Sequence, residues 1–331
     1  MKGLLRELVQ IPAPAGHEGR VRQAIQEIIT PHVDSIKVDA LGNLIARKGR
    51  KAADGRHILL SAHMDEIGVI ATHIDANGFV RFTSVGALFL RYLPGGHVRF
   101  LDGARGLVGV NIEPGQTKFP SMEQMFLDVG ASNRQDCPVQ VGDLAVFDRP
   151  MLEIGNRVVG KSLDNRTGVA VLIEVIRSLG ESPHTFTFVF SVQEELSRQG
   201  AMTAAFASDA EMAIAVDVTT SGDTPQAARM AVSLGGGPAI KVRDQGMIAD
   251  ARIVRWMADS AEQAGIPHQY EVLELGTTDA QMIQVAREGI PSGCLSIPLR
   301  YLHSPAEMVD LNDLAQTYAL LTRLLTGKAA F

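Results

Sequence analysis

Through residues 1–30 the apolar positions recur at helical spacing in two stretches separated by Pro12 and Pro14, the second running from His17 to Ile29. Proline disfavours helix at itself and at the residue before it, so two short helices are predicted rather than one. Ile36–Val38 and Asn43–Arg47 flank Leu41-Gly42 and read as a hairpin. Residues 57–62 then form an apolar strand that delivers His63. From residue 66 to 159 the texture changes. Short alternating runs at Phe79–Phe82, His97–Leu101, Leu107–Asn111 and Val139–Phe147 are split by glycine, proline and aspartate. Helical periodicity is almost absent there, apart from one turn around Met122–Phe126. This pattern predicts a small antiparallel β-barrel domain.

Helical spacing returns over Asp164–Leu179, where Val169, Val171, Leu172 and Val175 are apolar. Strands at 185–192, 212–218, 238–242, 269–274 and 293–297 then alternate with helices at about 200–208, 248–264, 278–288 and 310–326. Such alternation predicts an α/β fold with a doubly wound mixed sheet. The candidate site residues lie on both sides of the β-rich stretch. Residues 1–65 and 160–331 are therefore expected to form one discontinuous catalytic domain, with 66–159 inserted into it.

Composition narrows the function classes. A chain of 331 residues with 46% apolar content can bury a large core. Its net charge of −6 and lack of a dense basic tract argue against nucleic acid. Met1–Gln10 breaks its apolar positions with charges and no stretch reaches membrane-spanning length, so a cytoplasmic protein without membrane contact is expected. Cys137 and Cys294 are too few for a disulfide framework and read as small buried residues.

The chemistry concentrates at strand ends. Glu194 and Glu195 follow the apolar strand Thr185–Val192, and adjacent like charges there are costly unless something positive faces them. His63 and Asp65 follow Ile58–Leu60, Asp217 follows Ala213–Val216, His303 follows Leu295–Pro298, and Asp164 begins a helical pattern. Singly, each has an ordinary explanation as a solvated glutamate, a structural histidine or a helix-capping aspartate. Together they sit where open α/β sheets bind ligands, and their types suit hard or borderline divalent metals.

If Asp164 bridges, His63, Asp164, Glu195, Asp217 and His303 serve two ions. Each ion then receives one imidazole, one terminal carboxylate and one oxygen of the bridge. Three carboxylates, two divalent ions and a bridging hydroxide sum to zero charge. Paired metals about 3.5–4 Å apart acidify water and clamp a hydrolytic transition state, which makes the bridging hydroxide the expected nucleophile. Glu194, beside a ligand but not needed as one, suits the general base that passes a proton to a leaving amine. Asp65 suits a hydrogen bond to His63 that fixes its tautomer.

Ala62–Gly68, Ser162–Gly168, Gln193–Glu195, Val216–Thr219 and Ile297–Pro305 together resemble metallopeptidase family 42, the tetrahedral and glutamyl aminopeptidases. The resemblance covers nearly the whole chain. It implies an aminopeptidase acting on short peptides, with zinc or cobalt held by His63, Asp164 and Asp217 on one side and by Asp164, Glu195 and His303 on the other. It also implies Glu194 as catalytic base, Asp65 behind His63, a barrel that serves as lid or dimerisation domain, and assembly from dimer to dodecamer. The chain departs from the family after the glutamates, reading Leu196-Ser-Arg-Gln-Gly-Ala201 where Val-Gly-Leu-Arg-Gly-Ala is usual. Thr277, Gln281 and Met282 also stand where the family tends to place small residues.

Two rivals belong to other classes. A glycoside hydrolase would use paired carboxylates without spending histidines on metal, and a non-catalytic metal-binding shell subunit would be expected to lack Glu194 or a ligand. His17, His32, His57, His73, His97, His184 and His268 have no partner at ligand spacing and read as structural or surface residues. Gly235–Pro238 reads as a tight turn and Asp223-Thr-Pro225 as another turn. Arg300 and Tyr301, beside His303, either line the site or serve structural packing, and an acidic substrate preference would call on Arg198 or Arg300.

Overall fold

A computed structural model describes residues 1–329 apart from 226 and 228. Helices α1 (Lys2–Val9) and α2 (Gly19–Ile29) precede the hairpin β1 (Ser35–Val38) and β2 (Leu44–Lys48), and β3 (His57–His63) follows. Six strands come next: β4 (Gly68–Ile74), β5 (Val80–Val85), β6 (His97–Phe100), β7 (Arg105–Val110), β8 (Met125–Asp128) and β9 (Leu144–Phe147). After them β10 (Leu152–Ile154) and β11 (Arg157–Gly160) lead into α3 (Leu163–Ser178). The rest of the chain supplies β12 (Thr185–Ser191), the single turn α4 (Glu194–Ser197), α5 (Gln199–Phe206), β13 (Met212–Thr220) and β14 (Ala239–Arg243). It ends with α6 (Ala251–Ala264), β15 (Gln269–Val272), α7 (Asp279–Gln284), β16 (Ser292–Arg300), β17 (Glu307–Asp310) and α8 (Leu311–Thr326).

The fold is α/β, with a mixed sheet and a closed six-stranded barrel. The large sheet runs β1-β2-β12-β3-β13-β16-β17-β11-β10, with β14 and β15 branching from β16. Its central strands β12, β3, β13 and β16 are parallel and almost wholly buried, because helices cover both faces. Ile58 and Leu60 pack with α1, α2, α3, α6 and α8, whereas Leu59 between them packs with α5 and α7. The amphipathic helices are bounded as their ends dictate. Asp250 accepts from Arg252 N at 2.8 Å to open α6, and Gly265 in the left-handed region (φ 64°) closes it.

The barrel closes in the order β4-β5-β8-β7-β6-β9. Alternate residues, among them Val69, Ala71, Val80, Phe82, Val98, Phe100 and Leu127, fill its interior. Several elements differ from the sequence reading. Strand β4 was not anticipated, and the expected turn at Met122–Phe126 is one short 3₁₀ turn followed by β8. Only the second half of Val139–Phe147 is strand. β10 and β11, which fall inside the expected 66–159 insertion, pair instead into the large sheet through β17. Among the described residues no helix is long and apolar enough to cross a membrane. Both cysteines are free, and Cys137 is only partly buried, not enclosed as expected; Cys294 is fully buried.

Candidate active site

Sheet register assembles the site. Ser191 lies opposite His63, and Ala215 lies opposite Ser61 on the other side of β3. His63, Asp217 and the glutamates beyond β12 therefore emerge at the same carboxyl edge of the sheet. Asp164 and Asn165 carry non-helical backbone angles inside α3, so the regular helix begins only after them. Asn165 accepts from Gly168 N at 3.0 Å and donates to Val216 O at 2.8 Å, tying this kink to β13 next to Asp217.

The five expected ligands come together around Asp164. Its Oδ1 lies 3.0 Å from His63 Nε2, which is also 3.6 Å from Asp217 Oδ1. Its Oδ2 lies 3.4 Å from His303 Nε2, which is 3.4 Å from Glu195 Oε2. Two triads result, His63–Asp164–Asp217 and Asp164–Glu195–His303, each with one donor atom per residue inside 4.8 Å. Asp65 takes up Glu194 N on Oδ1 at 3.0 Å and Glu195 N on Oδ2 at 3.1 Å, with His63 Nδ1 3.5 Å away. It thus clamps the backbone of both glutamates as well as facing the imidazole.

Burial and mutual proximity shift the ionisation of most of these groups. Burial, reinforced by neighbouring carboxylates, pushes Glu194 and Glu195 well above the usual carboxylate range, and burial raises Asp217 as well. Burial opposes ionisation of Asp164 too, but His303 and His63 on its two oxygens outweigh it and hold it low. Burial likewise disfavours the His63 cation, yet Asp164, Asp217 and Asp65 raise its pKa well above the ordinary value. Glu194 Oε1 and Glu195 Oε1 are buried without a hydrogen-bond partner among the described residues. Oxygen and imidazole donors with unsatisfied acceptor atoms fit divalent cations of the hard or borderline kind.

Two buried carboxylates at this edge escaped the sequence reading. Glu307 accepts from Asp164 N at 3.0 Å and from His303 N at 3.1 Å, binding both triads from behind. It stands two residues past the recognised Ile297–Pro305 stretch, in the four-residue strand β17, which is too short to mark it in the sequence. Asp279, at the start of α7, accepts from Ser61 Oγ and Ser191 Oγ at 2.5 Å each beneath the ends of β3 and β12.

The barrel also reaches the site. Gly86, at φ 81°, packs so close that an added Cβ would sit 3.2 Å from Glu195 Cβ, and Phe89 lies 6.4 Å from the His303 ring between centroids. Arg300 does not serve the site. Its Nε and Nη2 grip Asp223 at 2.8 and 2.6 Å, and Asp223 also takes Ser221 Oγ and Leu234 N, so that segment is a bonded junction rather than a bare turn. The amides of Gly235 and Gly237 are likewise engaged, both donating to Asp313. Among the histidines set aside, His57 pairs with Thr187 and Asp209, and His184 with Gly327 O.

The M42 glutamyl aminopeptidase family matches residues 42–320, and the chain belongs to it. A putative aminopeptidase from Acetivibrio thermocellus is 42% identical over 98% of both chains. The solved aminopeptidase APDkam598 from Desulfurococcus kamchatkensis superposes with a TM-score of 0.94 at 36% identity, covering 98% of this chain and 94% of that one. The TET1 peptidase of Pyrococcus horikoshii, described as able to assemble into a tetrahedron or a large octahedral shell, gives 0.85 at 32% identity over 98% of each chain. The protein is an aminopeptidase, a hydrolase of peptide bonds.

Proposed function

We propose that this aminopeptidase works through two divalent ions, zinc or cobalt, held by His63, Asp164 and Asp217 and by Asp164, Glu195 and His303. The observation that carries the reading is the sharing of Asp164: its two oxygens face different imidazoles, each with its own second carboxylate. Bound there, the ions supply Lewis acidity and lower the pKa of water. Glu194 takes a proton from the attacking water at its unpartnered Oε1 and returns it to the leaving amine. Asp65 fixes where that oxygen stands by holding the Glu194 and Glu195 amides, and Glu307 does the same for Asp164 and His303.

The inserted barrel is proposed as a lid and as the self-association module. Its Gly86–Phe89 segment lies against the site, and Leu107, Ile112, Phe119 and Val141 leave apolar surface exposed on it. The assembly described for the Pyrococcus horikoshii enzyme supports association of this chain from dimer to dodecamer. The catalytic unit is read as 1–65 and 160–331, with β10 and β11 contributing to its sheet. The free cysteines agree with a reducing, cytoplasmic compartment.

Chelation should abolish hydrolysis of unblocked aminoacyl substrates, and added zinc or cobalt should restore it. Full activity in metal-free protein would end the metal reading. Equal cleavage of N-acetylated and free peptides would contradict selection of the N-terminus.

A further inference from the structure

The site is closed on one side and open on the other. His63, Asp164 and Asp217 are all buried, whereas Glu195 and His303 in the second triad are only partly so. On the open side the barrel supplies residues 86–92. Gly86 lets this segment come close, since an added Cβ would sit 2.9 Å from Ile67 Cγ2 and 3.2 Å from Glu195 Cβ. Leu88 and Leu90 pack against the barrel core. Phe89 between them, in extended backbone (φ −86°, ψ 102°), turns its ring the other way, toward His303, 6.4 Å between centroids and tilted by 36°. The Arg91 guanidinium lies 5.1 Å from the Phe89 ring and 4.8 Å from that of Tyr92, bracing the loop by cation–π attraction. Even so, 46% of Phe89 stays exposed. A braced aromatic ring beside the catalytic edge thus keeps apolar surface to bury.

An aminopeptidase must enclose the first residue of its substrate and leave the rest of the chain free to run into solvent. We propose that the buried triad faces that first residue, and that Phe89, on the open side, holds the side chain of the second residue, whose nitrogen leaves when the bond breaks. The enzyme accordingly selects a bulky apolar residue at the second position. The proposal rests on the aminopeptidase reading above and adds a preference on the leaving side of the bond. An aromatic or branched aliphatic side chain laid on the exposed ring removes apolar surface of both partners from water, whereas glycine offers nothing to bury.

Dipeptide amides vary the two positions separately. Leu-Phe-amide and Leu-Gly-amide differ only in the second residue, and Leu-Gly-amide and Ala-Gly-amide only in the first. With the metal-loaded wild type, kcat/KM should favour Leu-Phe-amide over Leu-Gly-amide by roughly tenfold or more, the scale of burying one large apolar side chain. Phe89→Ala should bring that ratio close to one, mainly through KM, and Phe89→Leu, which keeps apolar bulk, should retain part of it. The ratio of Leu-Gly-amide to Ala-Gly-amide should hold in both variants. A wild-type ratio near one for the second residue would overturn the assignment and leave the aminopeptidase reading standing. A Phe89→Ala variant that changes the first-residue ratio instead would move the ring to the other side of the bond and overturn it too. So would an equal loss on all three substrates, because Phe89 would then act only through His303. No turnover of any of them by the wild type would sink the aminopeptidase reading and this assignment with it.

Discussion

Replacing Asp65 by Asn turns one carboxylate oxygen into NH₂ and changes almost no volume, at a residue with no solvent exposure. In the native protein both carboxylate oxygens accept from backbone amides, one from Glu194 and one from Glu195, while His63 Nδ1 faces the same group. The asparagine can keep one of those bonds. Its NH₂ must oppose the other amide, donor against donor, in a place water does not reach. Loss of a hydrogen bond to a charged group is worth about 1.5–3 kcal/mol, and the stranded N–H brings the total to about 3 kcal/mol. Residues that hold metal ligands from behind typically contribute 10–100-fold in metal affinity, or about 1.4–2.7 kcal/mol. The assay is denaturant unfolding of the metal-stripped variant beside calorimetric titration of zinc. Unfolding free energy should fall by about 3 kcal/mol and zinc should bind at least tenfold more weakly. Unchanged unfolding together with zinc affinity within twofold of the wild type would refute the clamp.

The two glutamates should part company. Glu194→Gln keeps both ions but loses about 10²–10⁴ in turnover, whereas Glu195→Gln loses metal because an amide oxygen is a poorer donor and one negative charge disappears; metal content and rate on both variants decide, and the reverse pattern would mean the roles are exchanged. Asp279 gives a pH signature in metal-stripped protein. Burial, against the pull of the Ser191 and Ser61 hydroxyls, pushes its carboxyl up to about 6, roughly two units above an ordinary aspartate. The folded form therefore holds this proton more tightly than the unfolded form. Its contribution is complete below about pH 4 and is lost as pH rises through about 6. Asp279→Asn should remove up to about 3 kcal/mol of that pH-dependent loss, and unfolding curves with the same slope between pH 4 and 7 in both proteins would exclude it.

Much of this architecture could be read along the chain because its strongest signals are local. The central strands are apolar on both faces, long enough to stand out, and separated by helical periodicity. His63, Asp164, Glu195 and His303 lie at or near an element's end and Asp217 interrupts the apolar run of β13, places where a polar residue beside apolar neighbours is conspicuous. The barrel announced itself through short alternation broken by glycine and aspartate. By contrast β10, β11 and β17 are three or four residues long, too short for any period to show. β10 pairs only with its neighbour β11, and β11 joins the large sheet through a partner far away in the sequence, as when Gly160 pairs with Glu307.

What sequence alone determined, then, was the order of the longer elements and the kinds of side chain presented at one edge of the sheet. Tertiary structure decided which of them meet. Only the fold puts the two oxygens of Asp164 before different imidazoles, because that depends on the register of β3 and β13 and on the kink at Asn165. Glu307 becomes part of the site through hydrogen bonds to Asp164 and His303, the first spanning 143 positions. Arg300 leaves the site through its pairing with Asp223. Local pattern records burial and backbone preference, whereas pairing between distant polar groups depends on packing angles and distances that no stretch of sequence contains.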